Sequence, residues 1–306
     1  MLLFTGPLLK RRLRVETSNS LGEYVLSITA IFWIRDGVLI DRMPVNAVAF
    51  AFACMNQRQS VESTGATLTD LINFAFATSG ISCAEKMRKF NAENQLCIPD
   101  VQAATEFYNN LSAEAGGRCQ YFAGALELLQ RSCEVGVLNF ITSAVEQTVL
   151  DRWSVSDQGR SVTPFLTEIL GWRSPEFCKG VGHFKYAREH YGIERIIYVA
   201  DAVAEIASGS QHSQDYDVVP IGFAHLITQD KIMHALTLVS EAYAGIEHRP
   251  WQHNLLQPER LVLPDQSDLD RTLTNAGAVH LVSGSGEKIM GDLADLLTAT
   301  VFKLDD

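Results

Sequence analysis

One stretch constrains this chain more than any other. From Tyr24 to Ile34 the sequence is an apolar run rich in β-branched and aromatic residues, the composition of a buried strand. It stops abruptly at Arg35-Asp36-Gly37, where glycine permits a tight turn. A second short apolar run, Val38 to Ile40, then ends at Asp41. A buried strand that delivers an acidic residue to its carboxyl end is how open α/β sheets build active sites. The chain is therefore expected to surround this strand with further parallel strands and covering helices.

The remaining sequence can do so. It has 306 residues, 47% of them apolar, enough for one large core or a core with a smaller unit. The formal net charge of -11 argues against nucleic acid as the main partner, because phosphate binding needs a basic face. The basic cluster Lys10-Arg11-Arg12 with Arg14 reads as a solvated N-terminal segment. Cys54, Cys83, Cys97, Cys119, Cys133 and Cys178 form no C-x-x-C pair and fit buried thiols in a reducing cytoplasm. No apolar run reaches membrane-spanning length, and the opening residues are in the wrong order for a secretory signal. The expectation is a cytoplasmic chain with no membrane partner.

Residues 1–23 carry no clear pattern and read as an N-terminal extension. Residues 43–118 read as four or so helices with no intervening strand, starting again at Thr67-Leu68-Thr69-Asp70. This predicts an all-helical cap inserted into an α/β core made of residues 24–42 and 119–306. From Cys119 the α/β rhythm returns. Strands are predicted at Val137–Ile141, Ile196–Ala200, Val218–Ala224 and Ala278–Val282. Helices are predicted at Gly124–Gln130, Val145–Arg152, His183–Tyr191 closed by Gly192, Val203–Ala207, Lys231–Ala244, Ser267–Ala276 and Lys288–Val301. Phe165–Leu170 reads as either a short strand or a helical turn. Residues 225–262 form an irregular or helical insertion, where His225, His234, His248 and His253 lack metal-ligand spacing. Alternating strands and helices predict a three-layer, Rossmann-like parallel sheet.

The run into Asp36-Gly37-Val38-Leu39, with Asp41 beyond it, resembles motif I of the haloacid dehalogenase-like superfamily. That motif is an apolar run, Asp-x-Asp-Gly-Val/Thr-Leu, and a further Asp. The first Asp of the pattern falls on Ile34, or on Trp33 if Arg35 is an insertion, and neither is a nucleophile. Gly124 to Leu129, Gly136-Val137 and Ile141-Thr142-Ser143 look like motif II. Lys179, in Cys178-Lys179-Gly180, stands in the place of the motif III lysine. Asp201, followed four residues later by Glu205, resembles motif IV. Together these span roughly residues 24–224.

The resemblance implies roles. Asp36 would be the general acid and base. Thr142 and Ser143 would hydrogen-bond a phosphoryl oxygen, and Lys179 would neutralise its charge. Asp201, the Asp36 carbonyl and Glu205 would hold Mg²⁺, a hard cation that prefers oxygen. In the superfamily the first Asp attacks phosphorus, so Ile34 removes the nucleophile and a metal ligand together. The expectation is a phosphatase-like chain that binds a small phosphorylated or anionic metabolite with little turnover, and Mg²⁺ weakly or not at all. One alternative is a hydrolase or other enzyme using Asp36, Lys179 and Asp201 on a small substrate under the cap. Another is an interaction module with residues 225–262 as its contact surface. Read structurally only, Asp36 caps its turn, Asp41 begins the first cap helix, Glu205 faces solvent and Trp33 packs.

Overall fold

The computed structural model describes residues 16–18, 24–26, 28–56, 66–94, 98–248 and 256–302. The basic cluster at 10–14, Cys97 and His253 lie outside the described residues. Among those described, no helix is long and apolar enough to cross a membrane.

The long first strand is split. Tyr24–Leu26 (β2) pairs antiparallel with Glu16–Ser18 (β1), a strand inside the expected N-terminal extension. The central strand is only Thr29–Ile34 (β3). An apolar run shows where a strand can be buried, but not where the chain changes sheet. β3 pairs on one side with Leu138–Glu146 (β4), which pairs with Glu168–Trp172 (β5). On the other side come Arg195–Ala200 (β6), Val218–His225 (β7) and His280–Gly284 (β8). The order is β5-β4-β3-β6-β7-β8, and every pairing is parallel. This is the three-layer sheet expected from the alternating pattern.

β3 lies at the centre, and Ala30 to Ile34 are all buried, which is why the strand reads as an unbroken apolar run. Trp33 packs there, and its indole N–H donates to Asn139 Oδ1 at 2.9 Å. The Phe165–Leu170 ambiguity resolves as both: a short 3₁₀ turn at Thr163–Phe165, then β5. β4 runs farther than expected, taking Val145 and Glu146 out of the following helix. Its register shifts between Thr142 and Glu146, and the Gln147 side chain bridges Gly171 N (2.7 Å) and Ile169 O (3.0 Å) across the gap.

The core helices are Ala125–Glu134 (α5), Gln147–Ser154 (α6), Asp157–Val162 (α7), Val181–Tyr191 (α8), Val203–Gln211 (α9), Ser213–Tyr216 (α10), Gln266–Asn275 (α12) and Glu287–Thr300 (α13). Gly192 ends α8 in the left-handed conformation (φ 67°), as the sequence suggests.

The helices of the insertion are Met43–Asn56 (α1), Leu68–Ala77 (α2), Cys83–Asn94 (α3) and Val101–Gly116 (α4). They form a second hydrophobic cluster, apart from the one around the sheet. α1 is buried on nearly every face, so it carries no clear apolar stripe. α2 starts with a reciprocal Thr67–Asp70 capping box. The helix Gln229–Glu247 (α11), expected to belong with the sheet domain, packs instead on α1 and α4. Its Ile232, Ala235, Val239, Ala242 and Tyr243 complete the cap cluster. Its apolar face is thus covered by the cap rather than presented outward.

Candidate functional site

The site begins at the turn after β3. Gly37 N bonds Ile40 O (2.8 Å) and Ile40 N bonds Arg35 O (2.9 Å), folding the chain back on itself. Gly37 has φ 99°, and a Cβ there would overlap the Asp201 carboxylate. Glycine is needed for the turn and for the approach of Asp201 from the end of β6. Ile34, at the end of β3, is 4% exposed and pairs in register with Thr142.

Asp36 is gripped by its own neighbour. Arg35 Nε donates to Oδ1 at 2.7 Å and Arg35 Nη2 to Oδ2 at 2.9 Å, a bidentate pair with Arg35 only 4% exposed. Asn46 Nδ2, from α1, donates to Oδ2 at 3.2 Å. Burial alone would raise the Asp36 carboxyl. The Arg35 and Arg42 guanidiniums and these hydrogen bonds outweigh it, holding Asp36 well below the usual carboxylate range. Arg35 also lies over the Trp153 ring, 5.0 Å from its centroid. Behind Asn46, the Ser112 hydroxyl of α4 donates to Asn46 Oδ1 (2.8 Å) and Arg42 Nη2 donates to Ser112 Oγ (2.9 Å). The acidic turn is therefore tied to two cap helices.

Thr142 is fully buried, and its hydroxyl lies 2.6 Å from His183 Nδ1 in α8. His183 Nε2 lies 3.1 Å from the Gly171 carbonyl, which can only accept. Nε2 therefore carries the ring proton, Nδ1 accepts, and Thr142 donates. That hydroxyl proton is committed to His183 rather than aimed at a ligand. Burial pushes the His183 imidazole down to about 4, helped by the nearby Lys179 and Arg173 charges. Ser143, also buried, accepts from Val145 N at 3.2 Å within the register shift.

Lys179 precedes α8 and forms an ion pair with Glu205 in the first turn of α9. Glu205 is 6% exposed, not on the solvent side of its helix, and its Oε2 is buried without a partner. Burial first, and then the Glu205 carboxylate, push Asp201 well above the usual range, with Lys179 opposing and Asp36 adding to the push. The four acidic and basic residues thus converge at the carboxyl ends of β3 and β6. Lys86 of α3 faces the same cluster from the cap. Its ammonium donates to Ala75 O at 3.2 Å, and burial lowers its pKa. The turn between α2 and α3 sits directly on α9: a Cβ at Gly80 would lie 3.4 Å from Glu205 Cγ and 3.2 Å from Ala202 Cβ.

Asp41 does not begin α1. It pairs with Lys231 in the first turn of α11, and His225 Nε2 at the end of β7 lies 3.6 Å away. It therefore ties the chain entering the cap to the chain entering α11. Among the described residues no group of three or more His, Cys, Asp or Glu side chains is placed to hold a metal ion.

Sequence reasoning missed Arg35, Arg42, Asn46, Lys86 and His183. Arg35 had a signal, since a charged residue between a buried strand and an acidic turn must find a partner. The others had none: His183 is an ordinary position on α8 until the fold sets it under Thr142.

A parallel sheet flanked by helices, with a helical insertion after its central strand, is the arrangement of the haloacid dehalogenase-like fold. This chain has it. Among solved structures it is similar to a hydrolase of the haloacid dehalogenase-like family from Streptococcus pneumoniae, at 15% identity and TM-score 0.54, over 89% of this chain and 100% of that one. It is also similar to a hydrolase from Pseudomonas syringae (12% identity, TM-score 0.54, 88% of this chain and 99% of that one). A third is a predicted phosphatase from Clostridium acetobutylicum (13% identity, TM-score 0.54, 90% and 100%). No family model and no curated protein matches the chain. At these identities the likeness is one of fold.

Proposed function

We propose that this protein binds a small phosphorylated or otherwise anionic metabolite between the cap and the carboxyl edge of the sheet, and turns it over slowly or not at all. The phosphatase-like class follows the hydrolases and phosphatase whose fold it shares. The observation that carries the loss of chemistry is the Arg35–Asp36 pair. A covalent phosphoryl transfer needs a nucleophile at Ile34 and a proton donor at Asp36. Ile34 has no nucleophilic atom, and Asp36 is held ionised by Arg35, so it has no proton to supply and is a weak base.

The donors present do not fit a resident Mg²⁺. The Asp36 carboxylate is engaged by Arg35 and Asn46, and one Glu205 oxygen by Lys179. Of the expected donors, Asp201 and the Asp36 backbone carbonyl remain, too few for the near-octahedral oxygen coordination that Mg²⁺ needs. Anion binding falls to Lys179, with Lys86 facing it from the cap.

The test is single-turnover kinetics with a reactive aryl phosphate, with and without Mg²⁺, beside calorimetric titration with inorganic phosphate. Phosphate binding without a phospho-enzyme is expected. A covalent intermediate, or turnover near about 1 s⁻¹, overturns the reading.

A further inference from the structure

We propose that Glu205 is an internal substitute for the ligand's oxyanion: its carboxylate occupies Lys179, and an incoming phosphate must displace it. The inference rests on the anion-binding reading above and adds a built-in competitor to it. Lys179 and Glu205 face each other as a close ion pair, with side chains 13% and 6% exposed. Glu205 is poorly served in this position. Only one of its oxygens is paired, while Oε2 is buried with no partner. A buried carboxylate oxygen without a donor is costly, so this pose is less stable than a fully bonded one.

The displaced carboxylate has a destination. The Lys86 ammonium lies on the cap side within electrostatic reach of Glu205 and has Ala75 O as its acceptor. Glu205 Cγ lies directly under Gly80, in the turn that joins the two helices bearing Ala75 and Lys86. Exchange of Lys179 for Lys86 would transfer the Glu205 contact from the core to the cap. The cap would then be drawn onto the site when the ligand arrives. The reason for the arrangement is local. With Ile34 in the nucleophile's place, no carboxylate at the end of β3 engages Lys179, and Glu205 is the acidic group that does.

The experiment is calorimetric titration of the full chain with inorganic phosphate in metal-free buffer at neutral pH. Glu205→Gln is expected to tighten phosphate binding by about tenfold or more. Glu205→Ala, which also removes the carboxylate, serves as the second variant if the first does not fold. The gain must depend on Lys179, so it should vanish in the Lys179→Met background, including as a failure to rescue binding there. Unchanged or weaker binding by the Glu205 variants, with the native chain still binding, overturns the competitor and leaves the anion site standing. An equal gain with and without Lys179 reduces the effect to long-range charge and also overturns it. Absence of phosphate binding by the native chain and both Glu205 variants removes the anion-binding reading and this inference together.

Discussion

Arg35 and Asp36, consecutive in the chain, hold each other through two hydrogen bonds of 2.7 and 2.9 Å inside the protein. Adjacent side chains at the end of a strand normally point to opposite faces. Here the turn begins at Arg35 and lets both charges meet. The pair holds the Asp36 carboxyl ionised, as a fixed counter-ion to Arg35.

Breaking that pair from the basic side is expected to destabilise the fold. Arg35→Met leaves a largely buried carboxylate, 17% exposed, with Arg42 and Asn46 near it. Removing one partner of a buried pair costs about 3 kcal/mol or more. Urea denaturation of the variant beside the native chain measures it. A change under about 0.5 kcal/mol would mean that solvent already reaches the pair.

Placing a carboxylate at position 34 should show the restriction on Asp36 as a leaving-group effect. Ile34→Asp, supplied with Mg²⁺, is expected to react with aryl phosphates, whose leaving groups need no proton, and hardly at all with alkyl phosphates. Adding Arg35→Met should free Asp36 to donate and raise the alkyl rate by about 10²-fold or more, the usual scale of general acid catalysis. Equal rates on both substrate classes in Ile34→Asp alone would show that Asp36 can already protonate a leaving group.

Stability should fall with acidity through His183. Its folded-state pKa is depressed to about 4 by burial, while an unfolded chain titrates near about 6.5. Above that value the ring is neutral in both states and contributes no pH dependence. Below it the unfolded chain takes up the proton first, so stability drops from about pH 6.5 to about pH 4 and then levels. The total is of the order of 3 kcal/mol. Denaturation across this range should lose that slope in His183→Gln. A variant that keeps it would place the titration elsewhere.

Gly37→Ala tests the approach of Asp201 to the turn. The added carbon would overlap the Asp201 carboxylate at a backbone angle, φ 99°, that alanine rarely adopts. A loss of at least about 2 kcal/mol is expected. A thermal melt unchanged from native would separate Asp201 from this turn.

Titration with Mg²⁺ should show no micromolar affinity in the native chain, because Lys179 already engages Glu205, the Asp36 carboxylate serves Arg35, and only Asp201 and the Asp36 carbonyl are left to coordinate. The Ile34→Asp variant restores an oxygen donor and is expected to bind more tightly. Calorimetry compares the two, and micromolar binding by the native chain would mean that these ion pairs open readily.

The sequence by itself determined the sheet and which side chains stand at its carboxyl edge. Parallel strands buried on both faces must be unbroken apolar runs, and Ile31–Ile34, Phe140–Ile141, Ile196–Ala200 and Ile221–Ala224 are written that way. Gly37, Asp36, Thr142, Lys179 and Asp201 follow such runs or precede a helix, so their location at the strands' carboxyl ends was legible. Only the tertiary structure decided what these groups do to one another. Thr142 and His183 are 41 residues apart, Lys179 and Glu205 are 26 apart, and Asn46 and Ser112 are 66 apart. No local pattern encodes such pairings, because each depends on how helices dock rather than on how they form. The same holds for α11, whose apolar residues required burial but could not name the cap as their partner. Burial then made these pairings decisive, since a charge or hydroxyl removed from water must take whichever partner the packing supplies.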